Sequence, residues 1–473
     1  MIRLIAIMSL FATIGVVAFR NWYYALCGLA VATVLTQHPD MPTMLFGIPG
    51  MNPWNAALAC ILLARLLHMQ HEHGRAPTGP WLKLSFASYA GLILVAGFVG
   101  ALDHAAVKGE AAARLDFRGF LIDCIINPMK YLVLGVLFYS ATVTPARVRA
   151  AILAATGSGI LYALLMFKTI HLRVFTINFE DARRLTDKLV GLYATDLAQL
   201  FAFTIWAAVL ATPLVLNRLL RAVWVTSAIA TALCFISLKA RGAFIAFLSA
   251  GLALGVLRSR RLLVLLPLCV LGAIWWDPTV VDRTLTGVGS ESHFDDTDLH
   301  DWDEISAGRI TGLWPPTINQ ILKAPVLGHG RYAILREDVY NAIVASEGSV
   351  PSHPHNAYLE ILLDAGVVGL AVCTLLLATL TVASLSLMQA HDARLARALG
   401  SITFVAVVIV ATSSLTSQSF YLTQSMVPYA CFFGTALRVW TERRHATATA
   451  AASRHQLHHF NHATGAYWGA PTQ

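Results

Sequence analysis

Two histidines stand directly ahead of a long apolar run in Pro351-Ser352-His353-Pro354-His355-Asn356-Ala357-Tyr358-Leu359-Glu360. Pro354 disfavours helix at His353, and Asn356 is a good N-cap for the helix that the apolar run predicts, with Tyr358 in its first turn. The positive end of that helix dipole, with nearby arginines, opposes imidazolium formation. It should leave neutral rings able to accept a proton near pH 7. One histidine at such a boundary is most often structural, but two of them flanking a proline make an acid–base site the better reading.

A second set of residues is cationic. Lys168, Arg173, Arg183, Arg184 and Lys188 crowd the connection 168–191, Lys239-Ala240-Arg241 makes a tight turn between two apolar runs, and Arg309 follows Ser306-Ala307-Gly308. Guanidinium forks bind phosphate oxygens bidentately, so this set points to a phosphate-bearing anion. Gly242-Ala243 after Arg241 should let a bulky lipid pyrophosphate approach the backbone. The plain alternative for any one of these cations is pairing with Glu180, Asp181, Asp187 or a lipid headgroup. A metal site is not expected: there is no CxxC or Cys/His ligand spacing, and the Asp295-Asp296-Thr297-Asp298 run reads as a solvated acidic stretch. No cofactor is expected either.

The elements that must hold these residues are membrane helices. The 473 residues are 57% hydrophobic and only 13% charged, which excludes a secreted enzyme, a cytosolic domain or a disordered chain. The expected fold is an all-α polytopic membrane protein of about twelve transmembrane helices with one long periplasmic loop containing helices. Candidate spans are roughly 2–36 (one span plus a partial one, broken at Arg20-Asn21), 53–69, 83–101, 119–141, 147–169, 192–216, 220–238, 242–257, 261–276, 357–388, 395–414 and 418–440. The first run reads as a retained anchor, because Phe19-Arg20-Asn21-Trp22 is a poor cleavage site. All seven cysteines lie in apolar segments as small buried residues.

Arg65 and Arg75, Arg147 and Arg149, Arg218 and Arg221, Arg258 to Arg261, Arg394 and Arg397, and Arg443-Arg444 fall in every second connection. These connections should face the cytoplasm, with both chain ends on that side. The interval 277–356 then lies outside, and its twelve acidic against five basic residues agree. The chain therefore divides into 1–276 with helices one to nine, the loop 277–356, helices ten to twelve over 357–440, and a tail 441–473. The tail is Ala/Thr-rich, then carries His455, His458, His459 and His462, and is expected to be a disordered cytoplasmic segment.

Several of these motifs together resemble a known family. Arg309 and Trp314 in GRITGLW, Pro325-Val326-Leu327-Gly328-His329-Gly330, His355-Asn356-Ala357-Tyr358-Leu359 and Gly366-Val367-Val368-Gly369 resemble, in order and spacing, the characteristic region of the O-antigen ligase and O-antigen polymerase superfamily. Leu238-Lys239-Ala240-Arg241-Gly242-Ala243 is similar to its Ser-Arg-Gly-Ala element. Gly191-Leu192-Tyr193-Ala194-Thr195-Asp196 sits where the family often has a Gly…Asn-Pro-Asn turn, and this departure leaves Asp196 without an assigned role.

The resemblance implies an integral-membrane glycosyltransferase of the bacterial inner membrane with its site facing the periplasm. Its donor would be undecaprenyl-diphosphate-linked O-antigen, its acceptor a sugar hydroxyl of the lipid A-core oligosaccharide. Membrane lipids surround it, and nucleic acid has no part. Arg241 and Arg309 would hold the diphosphate with Arg183 or Arg184 as helpers, His355 would serve as the base with His353 its competitor, and Asn356 and Tyr358 would position them. A polymerase or a protein O-oligosaccharyltransferase would present almost the same donor site. A transporter of anions or lipids is the rival class, and Asp123, Asn127-Pro128 and Lys130 within span four are its main support.

Overall fold

The computed structural model describes residues 2–36, 38–45, 47–69, 79–109, 112, 116–141, 144–170, 177, 179–276, 309–347, 353–390, 393–417 and 420–463. Arg173, the Asp295 to Asp298 run, Ser306-Ala307-Gly308 and Pro351-Ser352 lie outside the described residues.

The chain is an all-α, multi-pass membrane protein. Among the described residues eight helices are long and apolar enough to cross a membrane. In chain order the helices are α1 (Ile2–Arg20), α2 (Trp22–Ala32), α3 (Pro53–Met69), α4 (Pro80–Leu102), α5 (Phe117–Ser140), α6 (Pro145–Ile170), the amphipathic α7 (Phe179–Val190), α8 (Ala194–Ala211), α9 (Arg218–Ser237), α10 (Arg241–Leu257) and α11 (Arg261–Trp276). The long loop contributes α12 (Trp314–Ile321) and α13 (Glu337–Glu347), after which come α14 (Ala357–Met388), α15 (Arg394–Ser413) and α16 (Val427–Ala463). A two-residue antiparallel ladder, Met44–Leu45 with Ile48–Pro49, closes the turn before α3.

Helix association in lipid rests on close packing, because the tails outside are as apolar as leucine. Small residues carry it here. A Cβ on Gly434 of α16 would sit 2.1 Å from the Gly135 carbonyl oxygen of α5, and one on Gly159 of α6 would sit 1.9 Å from Thr204 Oγ1 of α8. The segments Ala194–Leu214 and Arg394–Ser413 are the most enclosed, each 72% buried, whereas α9 is 17% buried and forms the rim.

The start of the chain is a span-length helix and a shorter one, divided at Asn21 as expected. Asn21 alone separates α1 from α2, capping α2 through Tyr24 N–H, so the two helices turn back on each other. Arg3 lies 3.9 Å from Asp40, beyond the far end of α2. The near end of α2 sits with the arginine-rich face: the Tyr23 hydroxyl donates to the Arg147 carbonyl at 2.7 Å, and Arg65 stacks on Trp22 at 4.9 Å. The first residues are therefore on the face opposite Arg65 and Arg147, where Arg438 and Glu442 of α16 pair at 2.6 Å beside Tyr139. Arg3 and Glu442 therefore lie on opposite faces, because the one-residue turn at Asn21 folds α2 back along α1.

Candidate functional site

The second half of the long loop is fastened into a break in α14. At Gly366 the backbone takes φ 62° and ψ −162°, a conformation open to glycine, and the helix interrupts its own ladder there. The Pro325–Gly330 turn supplies the missing partners. His329 N–H and Gly330 N–H donate to the carbonyls of Leu363 and Asp364 at 2.8 and 2.7 Å, while Val367 and Val368 N–H donate to Pro325 and Val326 at 2.8 and 3.3 Å. A Cβ on Gly328 would lie 2.4 Å from Ala365 N, and one on Gly366 would lie 2.3 Å from Val326 O. The two glycine motifs are thus the two halves of one splice, and it isolates a short helical segment, residues 357–365, ahead of the main span.

That segment carries the histidine turn at its N-terminus. Asn356 is the N-cap, its side chain accepting from Tyr358 and Leu359 N–H at 3.0 and 3.2 Å. Ala357 N–H donates to the Ser414 carbonyl at 2.7 Å and the Tyr358 hydroxyl to the Ala411 carbonyl at 2.8 Å, tying the turn to the end of α15. From the loop side Trp314 Nε1 donates to the Pro354 carbonyl at 3.0 Å. The rings of His353 and His355 meet edge to face, centroids 4.3 Å apart. His355 N–H donates to His353 Nδ1 at 3.2 Å, so the neutral His353 ring carries its proton on Nε2. His355 holds φ 52°.

Arg309 lies within electrostatic reach of Arg241 and of His353. Burial, and then the charge of Arg241, push Arg309 below the ordinary arginine range. His353 belongs to the same neighbourhood: burial, then Arg331 and Arg309, push its pKa down to about 4. Lys239, two residues before Arg241, stands at φ 45°.

Other expectations are placed differently. Gly242 does not open the backbone to a ligand: a Cβ there would meet Thr416 Oγ1 at 1.9 Å, so the glycine seats α10 against the turn that follows α15. Arg183 and Arg184 lie on α7, which packs between α6 and α8, and Arg184 is exposed. Asp196 is in the first turn of α8, within electrostatic reach of Glu360. Asp123 and Lys130 are on α5, Asp123 accepting from Asn127 Nδ2 at 3.1 Å and Lys130 over the rings of Trp54 and Tyr131 at 5.4 and 4.9 Å. Among the described residues no three His, Cys, Asp or Glu come together as metal ligands.

Sequence reasoning missed the densest polar cluster. Arg331, 5% exposed, directs Nη1 to Glu360 and, at 3.0 Å, to Asp364 Oδ2, with Tyr421 and Tyr332 rings 3.7 and 4.7 Å from the guanidinium carbon. Burial works against its charge, but Glu360 and then Asp364 outweigh it and hold Arg331 above the ordinary arginine range. Arg336 braces the same loop, pairing with Asp103 at 3.2 Å and donating to the carbonyls of His329 and Arg331. Two carboxylates four residues apart at the head of an apolar run were the available signal.

No curated protein matches the chain. Residues 226–374, from within α9 to the middle of α14, match the family model described as O-antigen ligase. That stretch contains the Arg241 turn, Arg309, the loop splice and the histidine turn, and over it the chain is similar to the O-antigen ligase family.

Proposed function

We propose that this protein is a metal-independent glycosyltransferase of the O-antigen ligase type, moving polysaccharide from undecaprenyl diphosphate to a lipid A-core sugar hydroxyl on the periplasmic side of the inner membrane. The observation that carries this reading is the capped histidine turn, with Arg309 in electrostatic reach of His353 and Arg241 in reach of Arg309, inside the stretch that matches the O-antigen ligase family model. In the transfer the acceptor oxygen bonds to the anomeric carbon, the bond from that carbon to the diphosphate oxygen breaks, and the acceptor proton passes to a base. Arg241 and Arg309 stabilise the charge on the leaving diphosphate, with Arg183 or Arg184 assisting.

His355 is assigned as the base. In His353 the lone pair of the neutral ring, on Nδ1, is already engaged by His355 N–H, which leaves that ring a donor. Asn356 and Tyr358 hold the turn in place. The test compares binding of the lipid-linked donor with glycan transfer in reconstituted protein. Arg241→Lys keeps charge but loses the fork, so it should weaken donor binding about tenfold or more, as should Arg309→Ala. His355→Ala should bind donor normally and transfer about a hundredfold to ten-thousandfold more slowly. Normal transfer by His355→Ala with an inactive His353→Ala would reverse the assignment, and normal transfer by both would remove histidine from the mechanism.

A further inference from the structure

The 357–365 segment is nine residues long, and beside its buried Ile361 and Leu363 and the Tyr358 bond to α15 its rotation is set by the polar face it turns inward. Its two ends are held by backbone bonds, at Ala357 to Ser414 and at the Gly366 splice, and such bonds tolerate some rotation. Between them one face of the segment carries Glu360 and Asp364, one turn apart, both buried. Both reach the same nitrogen of Arg331. Arg331 is itself immobilised: its N–H donates to the Ala96 carbonyl of α4 at 2.8 Å, and Tyr421 lies 3.7 Å from its guanidinium carbon. Asp364 Oδ1 also accepts from Ala333 N–H at 3.4 Å.

We infer that Arg331, through Glu360 and Asp364, is a positioning residue for the transfer reaction: it fixes the rotation of the 357–365 segment and with it the direction in which the histidine turn faces Arg241 and Arg309. The inference rests on the assignment of His355 as base. A side-chain tip about 6 Å from a helix axis moves about 2 Å when the helix turns by about 20°. Displacements of about 1 Å cost on the order of a hundredfold in rate. The cluster also leaves two buried carboxylates facing one cation, an arrangement costly to keep for packing alone, since apolar groups of like volume do that as well or better.

The experiment uses a charge-free replacement, because Arg331→Gln alone would strand two buried carboxylates and could simply unfold. R331M/E360Q/D364N and Arg331→Lys are reconstituted in proteoliposomes beside wild type and His355→Ala. Melting temperature, donor binding, and kcat and KM for transfer to lipid A-core acceptor are measured. R331M/E360Q/D364N should melt near wild type and bind donor within about threefold, yet show kcat lower by on the order of a hundredfold. Arg331→Lys, a point charge that cannot keep the fork under Tyr421, should fall between it and wild type. Wild-type kcat in the charge-free protein would overturn the inference. So would loss of fold or of donor binding together with turnover, which would make the cluster merely structural. If His355→Ala transfers normally, the base assignment fails, whatever the charge-free protein does. If His355→Ala is inactive and the charge-free protein is normal, this inference alone fails.

Discussion

Replacing Gly366 with alanine should be among the most damaging single-methyl changes in the protein. The backbone there holds φ 62° and ψ −162°, a region essentially restricted to glycine, so the strain alone should cost about 1–3 kcal/mol. The added Cβ would also stand 2.3 Å from the carbonyl carbon and oxygen of Val326, backbone atoms that have no flexible end to yield. To relieve it the Pro325–Gly330 turn must withdraw, giving up the bonds from Val367 and Val368 N–H, worth about 1 kcal/mol each. The sum is about 3–5 kcal/mol, enough to be seen as a lowered melting temperature in detergent. Gly328→Ala, at φ 66° and 2.4 Å from Ala365 N, should behave alike from the other side of the splice. Gly157, inside α6 with open space where a Cβ would go, is the control: Gly157→Ala should raise stability by up to about 1 kcal/mol. Equal melting of Gly366→Ala and Gly157→Ala would show that the splice does not hold the site together.

Protonation of His353 should weaken the fold in acid. Between its ordinary pKa of 6.5 and its depressed value of about 4 the unfolded chain binds a proton that the native one does not, so stability falls as pH drops through that window, by about 2–3 kcal/mol after allowance for partial exposure. Melting curves from pH 7 to 4 should show this loss in wild type and not in His353→Gln, and an identical acid dependence would refute it. Cysteines at Ile2 and Ala446 should be labelled by an impermeant thiol reagent from opposite sides of the membrane, and labelling of both from one side would contradict the antiparallel α1 and α2. Transfer should persist in chelator, and restoration by one particular divalent ion after its loss would count against a metal-independent reaction.

The long apolar helices were legible because a membrane demands an uninterrupted run of suitable length, and hydropathy reads that directly. The cap at Asn356 was legible too, since Pro354 and Asn356 act on their immediate neighbours. What failed depended on partners distant in sequence. Gly242 looked like a place for a ligand until Thr416, far along the chain, filled it. Arg331 was one of five basic residues in an acidic loop. Its partners read as two carboxylates near a helix start, and neither half means anything until the Pro325–Gly330 turn brings them together. The break at Asn21 between a full span and a partial one was legible as well, because a polar residue after Arg20 interrupts the apolar run and caps the next helix.

Backbone strain gives the site an independent outline. Among the described residues three other than glycine have positive φ: Lys239 at 45°, Tyr332 at 60° and His355 at 52°. Each such conformation costs about 1–3 kcal/mol and persists only where the surroundings over-determine it. The three come from separate stretches of chain, yet each is next to a feature of this one site. Lys239 sets the turn into Arg241, Tyr332 follows Arg331 and stacks on it, and His355 is held between its bond to His353 and the cap at Asn356. A fold stabilised only for packing would relax such positions to glycine or asparagine at little loss. With a histidine there instead, His355→Gly should stabilise the turn while slowing transfer as much as His355→Ala, and unchanged stability would refute the strain.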